Sequence, residues 1–162
     1  MRRLWWAVVI AALAVGVAAA QMLPWQARTK RPQDVTYLYP EQITVPAGRE
    51  AVIELHFRVN PGMHINSHDP LQKELIATRL MVPDTSGLEL SKVEFPTGSE
   101  YALAAMPSEK LSVYTGEFVL KAHVRATAGQ HLLQGLLRYQ ACDTNSCYPP
   151  RNAPVAVDVI AK

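Results

Sequence analysis

The chain has 162 residues, of which 49% are hydrophobic and 19% charged, with 16 Lys and Arg against 14 Asp and Glu and only two cysteines. That length holds one domain with its own core and is short for two. The near balance of charge gives no reason to expect nucleic acid or an anionic membrane surface as partner.

Met1-Arg2-Arg3 is a short positive segment, Leu4 to Val17 is apolar and free of charge, and Ala18-Ala19-Ala20 places small residues at a cleavage point. This is the pattern of a secretory signal peptide over residues 1–20, with the mature chain starting at Gln21. An uncleaved anchor is the alternative, although the apolar run is short for a membrane span of about 20 residues. Either way the remainder is exported. Removal of residues 1–20 takes Arg2 and Arg3 with it, so the mature domain is formally neutral, with 14 basic residues against 14 acidic ones. An exported chain with a single cysteine pair belongs in an oxidising compartment, where a disulfide is the default.

Residues 21–34 are polar, carry Pro24 and Pro32, and read as a flexible lead-in. The domain is expected over residues 35–162. Gln42 to Val45 is a short strand ended by the turn Pro46-Ala47-Gly48. Ala51 to Val59 alternates, with Ile53, Leu55, Phe57 and Val59 on one face and Glu54, His56 and Arg58 on the other, the period-two pattern of a half-buried strand. Further strands are predicted over Leu75 to Val82, Leu88 to Phe95, Glu117 to Arg125, Leu132 to Ala141, and around Val155, Val157 and Val159. Gly and Pro turns separate them, and no amphipathic helix of ten residues stands out. Seven or eight short strands at this spacing predict an all-β, immunoglobulin-like antiparallel sandwich, with a closed barrel as the alternative. Met63 to Lys73 and Ser99 to Ser108 read as loops. The second is apolar for an exposed loop, and such a loop needs something to cover.

Cys142 and Cys147 lie five positions apart, with the turn-forming Asp143-Thr144-Asn145-Ser146 between them and Pro149-Pro150 after them. The pattern predicts a hairpin tip with one cysteine on each side, close enough to form a disulfide. As a staple it would contribute little, because a six-residue ring removes only about 2 kcal/mol of unfolded-state freedom. Redox exchange and a structural staple both remain open from the residues alone. Asp143 disfavours a thiolate beside it, and no Lys, Arg or His neighbours the pair in sequence to offset it. That points to a pair reactive mainly when docked on a partner.

Other chemistries find less support. His64 and His68 with Met63, Met81 and Met106 are residue types that suit copper, but they are scattered, and no metal site is expected. Two thiols without a third ligand make a poor zinc site. There is no Gly-x-Ser-x-Gly and no set of Ser, His and Asp placed for hydrolysis.

Tyr139-Gln140-Ala141-Cys142, the four-residue loop and Cys147-Tyr148-Pro149-Pro150 together resemble the active-site hairpin of the N-terminal periplasmic domain of DsbD, a bacterial thiol:disulfide interchange protein. Phe57 to Asn66 is similar to that family's early strand and turn, and the resemblance runs from about Val35 to Ile160. It implies an immunoglobulin-like fold and a periplasmic, monomeric module without a cofactor, a component of a protein-disulfide oxidoreductase. The implied role is to relay electrons between a transmembrane donor and thioredoxin-like exported proteins. It implies Cys147 as the cysteine that forms the mixed disulfide and Cys142 as the one that resolves it. It implies that Tyr139, Gln140, Asp143, Tyr148 and Pro149 surround the site, and that a cap loop at Tyr101 to Ser108 shields it, with Tyr101, Leu103 and Met106 as the expected covering side chains. The family pattern has five residues between the cysteines where this chain has four, and an aromatic pair in the cap where this chain has Leu103 and Met106. The transmembrane and thioredoxin-like domains of the full DsbD protein are not in this sequence, so the donor is expected to be a separate polypeptide. The rival reading is a non-catalytic binding or assembly domain with a structural disulfide.

Overall fold

The computed structural model describes residues 31–39, 42–103 and 106–162. The proposed signal segment, most of the lead-in, and residues 40–41 and 104–105 lie outside the described residues. Pro32–Lys162 form one compact unit. In chain order its strands are β1 (Val35–Tyr39), β2 (Gln42–Val45), β3 (Glu50–Val59), β4 (His64–Asn66), β5 (Arg79–Met81) and β6 (Leu88–Glu94). They continue with β7 (Ser99–Leu103), β8 (Met106–Tyr114), β9 (Glu117–Ala126), β10 (Gly129–Tyr139), β11 (Ala141–Cys142) and β12 (Arg151–Ala161).

Two large sheets carry the fold, ordered β1-β3-β9-β6 and β2-β12-β10-β5. Lettered in the immunoglobulin manner, the first is A-B-E-D and the second holds C, F and G as β5, β10 and β12. The extra strand β2 runs parallel to β12, with Asp158 opposite Gln42 and Ala161 opposite Val45. The described residues therefore form an all-β, immunoglobulin-like sandwich, as their alternation predicts.

That alternation sets which faces meet. Ile53, Leu55 and Phe57 of β3 and Leu120, Ala122 and Val124 of β9 are buried from one sheet. Leu133 and Leu137 of β10 and Val155, Val157 and Val159 of β12 are buried from the other. Each fully buried large side chain contributes about 1.5–3 kcal/mol relative to exposure. Phe118 stacks on Phe57 at 5.3 Å and on Tyr114 at 4.8 Å, which ties the end of the sandwich to β8. β10 and β5 approach closely at Gly135, where a Cβ would stand 2.8 Å from the Met81 carbonyl oxygen.

A third, smaller sheet, β11-β4-β8-β7, is built from the connections between the large strands. β4 lies in the B–C connection, β7 and β8 in D–E, and β11 in F–G. The strands they join, β3, β6 and β10, all end at the same end of the sandwich, and β9 and β12 begin there.

Three local expectations need correction. Of Leu75 to Val82, only Arg79–Met81 is strand. The residues before it bond back to the segment after β4 instead: the Thr78 N–H donates to the Ser67 carbonyl at 3.0 Å and the Thr78 hydroxyl to the Asn66 carbonyl at 2.6 Å. Met63 to Lys73 is not all loop, since His64–Asn66 pairs with both β11 and β8, and three residues are too few to show a period. Ser99 to Ser108 is not a loop but most of a hairpin, β7 with the start of β8. Pro107 obscured it. β4 pairs with β8 only at Val113 and Tyr114, so Pro107 stands where β8 lacks that neighbour and its missing N–H is tolerated.

Candidate functional site

Cys142 and Cys147 are joined by a disulfide, with their Cα atoms 4.0 Å apart across an antiparallel bridge. The turn between them is held by its own first residue. The Asp143 carboxylate accepts from the Asn145 N–H at 2.7 Å and the Ser146 N–H at 2.8 Å, and its other oxygen accepts from the Tyr148 hydroxyl. Backbone bonds from the Tyr148 N–H to Ala141 at 2.8 Å and from the Asp143 N–H to Ser146 at 3.0 Å close the small hairpin. The two cysteines differ in burial: Cys142 is fully buried, whereas Cys147 is exposed.

Gln140 anchors the hairpin to the fold. Its side-chain oxygen accepts from Asn66 Nδ2 at 3.0 Å and the Ile76 N–H at 3.2 Å, while its Nε2 donates to the Tyr148 carbonyl at 3.3 Å. Its backbone carbonyl accepts from the Asn66 N–H at 3.2 Å. Tyr139, just before it, is buried in the core, and its hydroxyl accepts from the Asp34 N–H at 3.3 Å.

The pairing of β11 with β4 sets His64 opposite Cys142 and Ile65 opposite Ala141. Ile65 and Ala141 join the hydrophobic core. Side chains alternate along a strand and opposed residues share a face, so His64, Cys142 and Cys147 form a row on the other face. The Tyr101 ring of β7 packs on the His64 ring at 4.2 Å. His64 is 2% exposed, and its Nε2 has no hydrogen-bond partner among the described residues. Burial lowers its pKa, with the Asp143 charge opposing, so the ring is neutral near pH 7. Asp143 shifts the other way. The Tyr148 hydroxyl first, then the Asn145 and Ser146 N–H groups, hold its carboxyl below the ordinary range, and it is ionised. A cleft of about 530 Å³ opens beside this row, lined in part by Met63, His64, Tyr101 and Thr144.

Over residues 34–158 the sequence matches the family described as thiol:disulfide interchange protein DsbD, N-terminal. The chain belongs to that family. Its DsbD N-terminal character and the Cys142–Cys147 disulfide together support thiol–disulfide exchange. The solved structures similar to it include two bacterial domains. The DsbD N-terminal domain of Neisseria meningitidis in the reduced form is 18% identical, with a TM-score of 0.45, over 68% of this chain and 78% of that one. The N-terminal periplasmic domain of ScsB from Proteus mirabilis is 16% identical, with a TM-score of 0.49, over 71% of this chain and 42% of that one. No curated protein matches the chain.

Gln140, Asp143 and Tyr148 gather around the cysteine pair through the bonds given above, Tyr139 lies in the core with its hydroxyl on the Asp34 N–H, and Pro149 is exposed just beyond the pair. Tyr101 reaches the site by covering His64. Leu103 is half-buried at the end of β7, and the side chain of Met106 lies outside the described residues. Among the described residues no group of three or more His, Cys, Asp or Glu is placed to hold a metal. His68 stacks on Phe95 at 3.9 Å and bonds the Thr78 carbonyl at 3.1 Å, a structural position away from the cysteines. His64 itself was missed as part of the site. Seventy-eight positions separate it from Cys142, and the only sequence signal linking them is that it stands within the family-like stretch Phe57 to Asn66.

Proposed function

We propose that the chain is an exported thiol–disulfide exchange module that relays electrons through a reversible Cys142–Cys147 disulfide to or from thioredoxin-like partners in the periplasm. Residues 1–20 serve as its export signal, the folded domain is residues 35–162, and a separate transmembrane protein supplies the electrons. The single observation that carries this reading is the asymmetry of the disulfide, one cysteine buried and the other exposed. A staple has no use for such a difference. A relay does, because only one sulfur needs to meet the partner.

The chemistry follows from that asymmetry and needs no cofactor. A donor thiolate attacks Cys147 Sγ, the Cys142–Cys147 bond breaks, and Cys142 leaves with the bonding pair and takes up a proton. A second donor thiol resolves the mixed disulfide and leaves the module reduced. In the forward direction Cys147 attacks a partner disulfide, and Cys142 then attacks Cys147, closing the ring and releasing the partner as a dithiol. Tyr101, with Leu103 and Met106 of the same hairpin, would cap the Cys142 side of the pair by way of His64 and leave Cys147 open.

Trapping tests this. With Cys142→Ser the resolving thiol is gone, so mixed disulfides with a thioredoxin-like protein should accumulate on non-reducing gels. Accumulation with Cys147→Ser alone would reverse the roles. No trapping by either variant, together with loss of the fold on reduction, would leave the structural staple standing.

A further inference from the structure

The exchange reading leaves a chemical difficulty. Cys142 must become a thiolate to close the ring, yet it is fully buried and followed by the ionised Asp143. Burial and a neighbouring negative charge both disfavour a thiolate. Something has to take its proton.

Resting on that reading, we infer that His64 is the proton acceptor for Cys142: its buried, unpartnered Nε2 receives the Cys142 S–H proton as Cys142 attacks the mixed disulfide at Cys147. The register places His64 directly across the strand pair from Cys142, on the face that also carries Cys147. Opposed residues have Cβ atoms about 4.5–5.5 Å apart, within side-chain reach. A buried polar nitrogen without a partner is rare and costly. In the oxidised protein the sulfur opposite is locked in the disulfide and offers no proton. Reduction creates an S–H on Cys142, a new donor on the residue directly across the strand pair from His64.

The groups around His64 agree with this role. From the turn, Asp143 favours the imidazolium that forms. From β7, Tyr101 covers the ring and keeps water away. Along the cleft, Arg58 and Glu117 are bonded to each other at 2.5 Å, so their charges offset. Burial keeps the ring neutral before the transfer, which is the form a base must have.

The step balances. Cys142 gives its proton to Nε2, and its sulfur attacks Cys147 Sγ. The Cys142–Cys147 bond forms as the bond from Cys147 to the partner sulfur breaks. The partner sulfur leaves with the electron pair and becomes a thiol with a proton from the imidazolium or solvent. Two electrons pass to the partner, and the module is oxidised.

Ellman's reagent separates the two events. Added to the reduced protein at one equivalent, it releases one chromophoric thiolate when Cys147 attacks and a second when Cys142 closes the ring. His64→Phe keeps an aromatic ring against Tyr101 and removes both nitrogens, and His64→Gln restores a polar group without a base of useful strength. Both variants should show the first release within about two-fold of the parent and the second slowed by about a hundred-fold at pH 7, the usual scale for a lost general base. In the parent, closure should rise with pH and level off below about pH 6.5, with the neutral form of His64. In the variants it should instead keep rising toward the thiol range near pH 8.5. A normal first release followed by unchanged closure and an unchanged pH profile in whichever variant folds cooperatively overturns the assignment of His64. Failure of the first release in the parent overturns the exchange reading, and the role of His64 falls with it.

Discussion

Opening the disulfide should leave the domain folded, and the structure gives the scale of the loss. The ring contains only six residues, so its chain-entropy contribution is about 2 kcal/mol. What holds the hairpin besides the disulfide is more extensive. Two backbone bonds close it on itself, the Asp143 carboxylate takes two N–H groups and the Tyr148 hydroxyl, and Gln140 fastens it to Asn66 and Ile76. At about 1 kcal/mol net for each hydrogen bond, these outweigh the disulfide. Reduction should therefore lower the unfolding free energy by about 2 kcal/mol or less. Urea unfolding followed by circular dichroism, with and without a phosphine reductant, measures the difference as a shift in midpoint at constant slope. A loss above about 4 kcal/mol, or a transition that ceases to be cooperative, would mean that the disulfide holds the end of the sandwich together and that the pair is a staple. The reduction potential gives an independent check, since a value below about −300 mV is typical of structural bonds.

Gln140→Ala should cost about 2–4 kcal/mol in the oxidised protein, because it orphans the half-buried Ile76 N–H and removes a partner of Asn66; urea midpoints measure it, and a change under about 0.5 kcal/mol would remove Gln140 from its anchoring role. Gly135→Ala should cost about 1–3 kcal/mol through the clash with the Met81 carbonyl, and a neutral result in thermal melts would mean that β5 shifts freely. Acid should destabilise the domain partly through Glu50, held below its ordinary value of 4.5 chiefly by His123, and Glu94, held below it chiefly by Lys92. Lowered carboxyl values give stability that is complete above pH 4.5 and is lost as pH falls below it, so Glu50→Gln with Glu94→Gln should flatten the dependence of the urea midpoint on pH in that range. His64→Phe should leave the oxidised protein as stable as the parent or more so, since it removes an unpartnered buried nitrogen; a loss of several kcal/mol in oxidised melts would show that the ring is bonded in a way this structure does not contain.

The strands of the two large sheets were legible because each buries one face against a continuous core. Ile53, Leu55 and Phe57 are apolar for the same reason that Glu54 and Arg58 are not. The third sheet was hidden by its dependence on neighbours. His64–Asn66 becomes a strand only because Cys142 and Tyr114 arrive from distant parts of the chain to pair with it, and no local pattern encodes that. Pro107 disguised β8 in the same way, since a proline argues against a strand unless one knows that one side of it is unpaired. The cysteine hairpin was readable as a motif because its turn is local: Asp143 bonds the N–H groups two and three residues ahead, as an Asx turn does. Its electrostatics were not. Read along the chain, Asp143 stands without a nearby cation or base; in the fold, a neutral imidazole lies across the strand from the cysteine it disfavours.

The position of the site follows from the sandwich rather than from the cysteines. At one end, β3 and β10 finish and β9 and β12 begin, with the core sealed beneath by Phe57, Phe118 and Tyr139. The connections there can pair with one another, because the strands that feed them are already fixed at a common level. Pairing satisfies their backbone groups and gives them an inner face, Ile65 and Ala141, that joins the core, and an outer face, His64 with the two cysteines, that does not. Thiol–disulfide exchange needs that division. The sulfurs and their proton acceptor must keep their spacing while a covalent bond opens, and they must also sit where another protein can reach one of them. A disulfide within the inner face would meet the first requirement and fail the second, and one on a free loop would do the reverse. Pairing β11 with β4 meets both, and it leaves Cys147, at the outer edge of the small sheet, as the sulfur open to a partner.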